Sequence, residues 1–139
     1  MWMLLLVLLN IPSLVQSQFC RRFNSTWAGF IDVVKSIEQS SGYDILCSFE
    51  ISGDDDCPTP TEYPLGYQIN RSLILICDPD LFGYQDESEC IINCPGVHFT
   101  LEKSASLTLD GFTLAGATNS SIHLEEQATL RLINSNMRE

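Results

Sequence analysis

Cysteine and histidine side chains at regular spacing are the feature of the sequence that most suggests chemistry. Cys90, Cys94 and His98 follow one another at intervals of four residues, and Cys77 or His123 could supply a fourth ligand. These are the residue types and the ligand number of a structural zinc site. In an oxidising compartment the same cysteines would form disulfides, which is the favoured interpretation. Both histidines are expected to point outward into solvent.

Runs of carboxylates are a second possible source of chemistry, because hard cations prefer clustered oxygen ligands. Asp54–Asp56 could hold Ca²⁺, and Asp86, Glu87 and Glu89 form a similar run. Neither run has the alternating ligand spacing of a calcium loop, and consecutive side chains point apart. Both are therefore interpreted as solvated turns or loops, and the sequence predicts no metal and no cofactor.

Two glutamates come nearest to the requirements of acid–base catalysis. Hydrolysis of a glycosidic bond generally needs two carboxyl groups ~5–9.5 Å apart. Glu102 and Glu125 recur in a repeated segment, and Asp110 lies in an Asp-Gly pair. All three are interpreted as turn residues without a catalytic role. Asp110-Gly111 is a strong turn-forming pair, and Glu102 and Glu125 are expected at strand ends beside turns. The sequence contains no Gly-x-Ser-x-Gly, no Ser/His/Asp set and no phosphate-binding loop, so we predict no catalytic residue.

The N-terminal residues predict entry into the secretory pathway. Residues 1–17 hold a short apolar run with Val15 and Ser17 at the −3 and −1 positions of a cleavage site, which predicts a signal peptide and a mature chain from Gln18. The run is shorter than the about 20 apolar residues that cross a bilayer, so no membrane span is predicted. A buried strand or a short anchor is the alternative. The candidate N-glycosylation sites are Asn24, Asn70 and Asn119.

All six cysteines lie in the predicted mature chain. An even number of cysteines behind a signal peptide predicts disulfides, although six cysteines allow 15 pairings. Local geometry favours pairs that flank a polar or Pro/Gly-containing loop, and the best of these would close a loop of about 14 residues and contribute about 3 kcal/mol. The predicted bridges are Cys77–Cys90 and, second, Cys47–Cys57, with Cys20 and Cys94 left to pair or stay free.

The charge balance restricts the classes of partner. The chain has 18 acidic and 7 basic residues, for a net charge of −11. Such a surface repels nucleic acid and anionic lipid, so neither is expected to bind. Arg21–Arg22 is the one adjacent basic pair, so tight binding of a polyanionic polysaccharide is not expected either.

A helix and a series of short strands must position these residues. The segment "STWAGFIDVVKSIEQSSG" carries one apolar stripe at helical spacing, made of Trp27, Phe30, Ile31, Val34 and Ile37. Ser25 or Thr26 can cap the start of this helix, and Gly42 lies past its end. Downstream, short strand-like runs separated by glycine and proline predict a body that is nearly all β.

Residues 99–114 and 122–137 repeat at a constant offset of 23 residues. The matched pairs are Phe99/Ile122, Leu101/Leu124, Glu102/Glu125, Ala105/Ala128, Leu107/Leu130 and Leu109/Leu132. A fixed period of 20–30 residues is typical of a solenoid, in which like residues stack ~4.8 Å apart. The leucines are therefore expected to face inward in register. The outward positions are Thr100, Thr108, Thr113, His123 and Arg131, and "SLILIC" (72–77) extends the repeat upstream.

The phrases "LTLDGFTLAGA" and "ATLRLIN", preceded by the helix and "ILCSFEI", resemble right-handed parallel β-helix proteins of the pectin-lyase-like superfamily, and more closely its uncharacterised or surface-protein branches. The resemblance covers about Asp44 to Met137. It implies an all-β solenoid, a right-handed parallel β-helix of about three coils with an N-terminal amphipathic capping helix. Enzymes of that superfamily use charged residues clustered on one exposed sheet, and no such cluster is found, so the resemblance implies no activity.

The predicted organisation is a signal peptide at 1–17, an N-terminal segment with the capping helix at 18–42, and coils at 43–139. Because a solenoid needs a cap at each end, we expect truncation or a partner that covers the last coil. The favoured function is a non-catalytic secreted or cell-surface protein with a structural or adhesive role. The alternatives are the N-terminal fragment of a carbohydrate-active lyase or hydrolase and a small disulfide-rich effector. A carbohydrate or a covering protein is the expected partner.

Overall fold

The computed structural model of the chain describes residues 20–59, 61–78, 89–118 and 120–138. The predicted signal peptide at 1–17 lies outside the described residues. So do the predicted loop carboxylates Asp86 and Glu87 and the candidate glycosylation site Asn119.

The helix α1 spans Trp27–Gln39, and the sequence sets both of its ends. The Thr26 Oγ1 atom accepts a hydrogen bond from the Gly29 N–H at 3.0 Å, which satisfies one of the free donors of the first turn. After the helix, Gly42 adopts φ +72° and its N–H donates to the Ile37 carbonyl at 2.8 Å, as in a common C-terminal cap. The five residues of the predicted apolar stripe are all buried, so the helix prediction is confirmed.

Eleven short strands follow the helix in the described residues. They are β1 Tyr43–Leu46, β2 Phe49–Ser52, β3 Tyr67–Ile69, β4 Ser72–Cys77, β5 Cys90–Asn93, β6 Phe99–Leu101, β7 Ser106–Asp110, β8 Phe112–Ala115, β9 Ile122–Leu124, β10 Thr129–Ile133 and β11 Asn136–Arg138. They form three sheets: a first sheet in the order β1-β4-β7-β10, a second in the order β2-β5-β8-β11, and a third in the order β3-β6-β9. We call a stretch of chain that gives one strand to each sheet in turn a pass. Strands of successive passes pair in parallel.

The strand register follows the 23-residue repeat of the sequence. Leu101 lies opposite Leu124, and Leu109 lies opposite Leu132, as predicted. The upstream extension is also confirmed, because Leu75 of β4 lies opposite Leu109 of β7. Burial departs from the prediction in the last pass, where 46% of Leu124 is exposed. The strands β9, β10 and β11 are edge strands, so no further strand of the described residues covers that side.

The predicted fold class, an all-β solenoid built as a right-handed parallel β-helix of about three coils, is wrong. The described residues form three small sheets that stay open, each with two edge strands, and one α-helix that is part of the core. Phe30 of α1 lies with its ring centroid 5.7 Å from that of Phe49 and 6.0 Å from that of Phe99. A repeat period determines which strands pair, but it does not determine whether the sheets close or how deeply a preceding helix packs.

Three disulfides join separate parts of this fold, and one of them, Cys77–Cys90, confirms a prediction. Cys77 at the end of β4 bonds to Cys90 at the start of β5, 13 residues away. The predicted Cys47–Cys57 bridge is wrong, and Cys20 and Cys94 are both bonded. The other two bridges are Cys20–Cys47 and Cys57–Cys94.

Parallel pairing of the N-terminal segment with β1 explains why Cys47 bonds to Cys20 and not to Cys57, which is nearer in the sequence. The Arg21 N–H donates to the Ile45 carbonyl at 2.8 Å, and the Cys47 N–H donates to the Arg21 carbonyl at 3.0 Å. The N-terminal segment therefore runs beside β1, which brings Cys20 next to Cys47. An ion pair from Arg21 Nε to Asp44 at 2.7 Å supports the same alignment.

Candidate ligand cleft

A cleft of about 570 Å³ opens between the second half of α1 and the chain around β3. Its size lies within the ~300–1,000 Å³ of typical small-molecule sites. From α1 it is lined by Lys35, Glu38 and Gln39, which share one helix face because they are three and four residues apart. Tyr63 and Tyr67 line it from the other side. The cleft thus combines charged, amide and aromatic groups.

A glycine allows the chain to turn beside the cleft. Gly66 adopts φ +65°, and a Cβ atom at this position would lie 2.3 Å from the carbonyl oxygen of His98. Only glycine fits such a close approach without strain. The next residue can then enter β3, where the Tyr67 N–H donates to the same His98 carbonyl at 2.9 Å.

A carboxylate and a phenol meet at the wall of the cleft. The Tyr67 hydroxyl donates to Oε1 of Glu38, 29 residues earlier in the chain. Burial, with help from the Glu38 carboxylate, raises the pKa of Tyr67 well above its usual range, so the phenol stays protonated as a donor. The other carboxylate oxygen of Glu38, Oε2, is buried and has no hydrogen-bond partner among the described residues. It is an acceptor without a donor, which is uncommon for a buried group.

Two cations complete the lining. Arg71 lines the cleft, and its Nη1 donates to the backbone carbonyl of Glu38 at 3.4 Å, near the C-terminal end of α1. Positive charge is favourable there because it offsets the free carbonyls of the last turn. Lys35 lies one turn before Glu38 on the same face. The cleft therefore carries both charged and neutral hydrogen-bond donors. Within the described residues, Glu38 is the one carboxylate in its lining.

Two residues that we expected to face solvent are buried instead. The His98 Nδ1 atom lies 2.6 Å from the Ser121 hydroxyl, and its Nε2 lies 2.7 Å from the Cys94 carbonyl. Burial lowers the pKa of His98, which favours the neutral ring. Thr100 is fully buried, and its hydroxyl donates to the Leu65 carbonyl at 2.7 Å. The chain around Leu65 covers this face of the third sheet, which the repeat pattern does not reveal, whereas His123 is exposed as predicted.

The residues with metal-ligand spacing do not assemble into a cation site. Within the described ranges, no group of three or more His, Cys, Asp or Glu side chains could hold a metal ion. Cys90 and Cys94 are bonded to different cysteines, so neither thiolate is available. The Asp54–Asp56 run forms a turn, and the Asp56 carbonyl accepts a hydrogen bond from the Trp27 N–H at 2.8 Å at the start of the helix. Glu89 is exposed.

The glutamates considered for catalysis occupy equivalent turns. The Ala105 N–H donates to the Glu102 carbonyl at 2.9 Å, and the Ala128 N–H donates to the Glu125 carbonyl at 3.0 Å. The register of β6 and β9 places the two carboxylates on neighbouring passes, but neither lines the cleft. Asp110 ends β7 ahead of Gly111, whose φ of +81° is typical of a turn.

Two of the candidate glycosylation sites can be located. Asn24 and Asn70 are both exposed, and Asn70 also lies in the lining of the cleft. The site residues Glu38 and Tyr67 were not singled out from the sequence. Their meeting depends on how α1 packs beside β3, and no local motif marks either residue.

Comparisons of the chain with protein-family models, with curated proteins and with solved structures give no match. The resemblance to the pectin-lyase-like superfamily therefore stays a prediction. No helix in the described part of the chain is long and apolar enough to cross a membrane. The three disulfides indicate an oxidising, extracellular-type environment.

Proposed function

We propose that this chain is a secreted or cell-surface protein with a structural or adhesive role rather than a catalytic one. The set of three disulfides is the observation that carries the proposal. They tie the N-terminal segment to β1, the turn after β2 to the end of β5, and β4 to β5. Bridges over 27, 37 and 13 residues restrict the unfolded chain and favour persistence outside the cell.

The surface is consistent with that role. Exposed asparagines in Asn24-Ser-Thr and Asn70-Arg-Ser are accessible acceptors for glycans in the secretory pathway. The net charge of −11 favours solubility and disfavours nucleic acid and anionic lipid as partners. An extracellular protein or a glycan is the partner class that this surface fits.

A carbohydrate-active enzyme is the second candidate, and the cleft is the observation that favours it. The Glu38 carboxylate lines the cleft, and the protonated Tyr67 phenol donates a hydrogen bond to its Oε1. In this alternative the cleft holds a saccharide and Glu38 accepts or donates a proton at the scissile bond. Two-carboxylate hydrolysis would need a second acidic group, which the described lining does not contain.

One set of assays separates the two candidates. The chain is secreted from a eukaryotic host, purified with its disulfides intact, and tested for turnover of pectate, alginate and neutral glucans. In parallel, saturable attachment to cell surfaces or extracellular matrix is measured by a solid-phase assay. We expect saturable attachment without turnover.

The variants Glu38→Gln, Glu102→Gln and Glu125→Gln assign any turnover to a residue. Turnover that Glu38→Gln abolishes favours the enzyme with its site in the cleft. Turnover that Glu102→Gln or Glu125→Gln abolishes favours an enzyme with its site at the turns. Reduced cysteines in the natural protein would contradict the extracellular proposal itself.

A further inference from the structure

Asn70 connects a modification site to the cleft. It follows β3 directly, lies in the triplet Asn70-Arg71-Ser72, and is exposed where the chain turns into β4. It is also one of the residues that line the cleft. A glycan attached to the Asn70 side-chain nitrogen would therefore begin at the lip of the cleft.

The lining suits a sugar ring. Sugar hydroxyls donate and accept hydrogen bonds, and the cleft offers partners for both: Lys35 and Arg71 are donors, and the side-chain carbonyls of Gln39 and Gln68 are acceptors. The amides of Gln39 and Gln68 can do either.

We propose that the first sugar of an N-linked glycan on Asn70 lies in this cleft, between α1 and β3. The inference rests on the proposed secretory route, because only that route attaches such a glycan. Covalent attachment makes the contact intramolecular, so weak hydrogen bonds suffice to keep the sugar in place. A free saccharide would have to offset the loss of its translational and rotational freedom with the same contacts. The attached glycan is therefore the favoured source of the sugar.

The proposal predicts that the glycan protects the cleft walls from hydrogen exchange. Site occupancy at Asn24 and Asn70 is mapped by mass spectrometry of the secreted protein. Amide hydrogen exchange of segments 35–39 and 66–71 is then compared between the native glycoprotein and Asn70→Gln. We expect exchange in both segments to be several-fold faster in the variant. Trimming the native glycan to its first sugar with an endoglycosidase should leave the protection in place.

Matched variants separate the glycan from the asparagine side chain. Ser72→Ala keeps Asn70 but removes the glycosylation triplet, and it should behave like Asn70→Gln. Ser72→Thr preserves the triplet and should retain the protection. Asn24→Gln removes a glycan that is attached before α1, outside the cleft lining, and should leave both segments unchanged.

The outcomes distinguish this inference from the proposed function. Glycosylation of Asn24 but not Asn70 would uphold the secretory route and overturn the cleft proposal. A glycan on Asn70 without any change in exchange would overturn it too, because the sugar would then extend into solvent. If free N,N′-diacetylchitobiose protects Asn70→Gln while the attached glycan gives no protection to the native protein, the sugar comes from outside and the attached source is refuted. Absence of glycans together with reduced cysteines would instead refute the secretory proposal.

Discussion

Replacing Phe30 with alanine tests whether α1 is part of the core. The side chain is fully buried, and the rings of four aromatic residues surround it. The distances between ring centroids are 6.0 Å to Phe23, 5.6 Å to Trp27, 5.7 Å to Phe49 and 6.0 Å to Phe99. Truncating a buried phenylalanine costs about 3–5 kcal/mol, through lost transfer energy and the cavity left behind. Because aromatic neighbours on both α1 and the strands would border the cavity, we expect the upper half of that range.

The measurement is equilibrium unfolding in guanidinium chloride, followed by near-ultraviolet circular dichroism with the disulfides intact. A domain of this size typically has a free energy of unfolding of about 5–15 kcal/mol, so Phe30→Ala should remove about a quarter of it or more. The control is Ser36→Ala, an exposed position on the polar side of α1, which should change stability by less than about 0.5 kcal/mol. Equal effects of the two variants would refute the claim that the helix is built into the core.

Three further predictions concern single positions. Leu109→Ala should cost about 2–5 kcal/mol because Leu109 is fully buried, whereas Leu124→Ala should cost much less because 46% of that residue is exposed. Equal losses in denaturant unfolding would contradict the burial described for the last pass. Gly66→Ala should destabilise by more than about 1 kcal/mol, since its φ is +65° and its Cβ would contact the His98 carbonyl at 2.3 Å, and an unchanged melting temperature would contradict that backbone geometry. Because burial lowers the pKa of His98 in the folded state, its contribution to stability should be present above its usual pKa of 6.5 and be lost as the pH falls below that value. His98→Gln should flatten this part of the profile, and an unaltered pH dependence would contradict the burial of a neutral ring.

Local pattern and repeat were enough to predict the helix and the strand partners. The apolar stripe from Trp27 to Ile37 and the cap at Thr26 depend on neighbours within a few residues. The pairing of Leu101 with Leu124 follows from residues that repeat at one offset. Parallel strands place like positions side by side, so the offset in sequence becomes the register in the sheet.

The errors arise where distant parts of the chain meet. Loop length favours a bridge from Cys47 to the nearby Cys57, but the N-terminal segment pairs with β1 and brings Cys20 to Cys47 instead. Thr100 alternates like an outward residue, yet the chain around Leu65 covers it. The repeat also gave no information on sheet closure or on the depth to which Phe30 enters the core. Each of these features depends on tertiary packing, about which the local sequence pattern carries no information.

The cleft was not predictable for the same reason. Glu38 belongs to the polar side of a helix, and Tyr67 belongs to a three-residue strand. Only their packing, 29 residues apart in sequence, creates the hydrogen-bonded pair and leaves one carboxylate oxygen without a partner. The sequence did supply the Asn70 triplet, but not its position at the lip of the cleft.

Disulfide mapping of the secreted protein tests the central claim of an extracellular, disulfide-braced chain most directly. The purified protein is digested without reduction after free thiols are blocked, and linked peptides are identified by mass spectrometry. We expect three bridges and no blocked cysteine, with the linked pairs Cys20–Cys47, Cys57–Cys94 and Cys77–Cys90. A Cys47–Cys57 linkage, or cysteines that are free in the natural protein, would contradict the account.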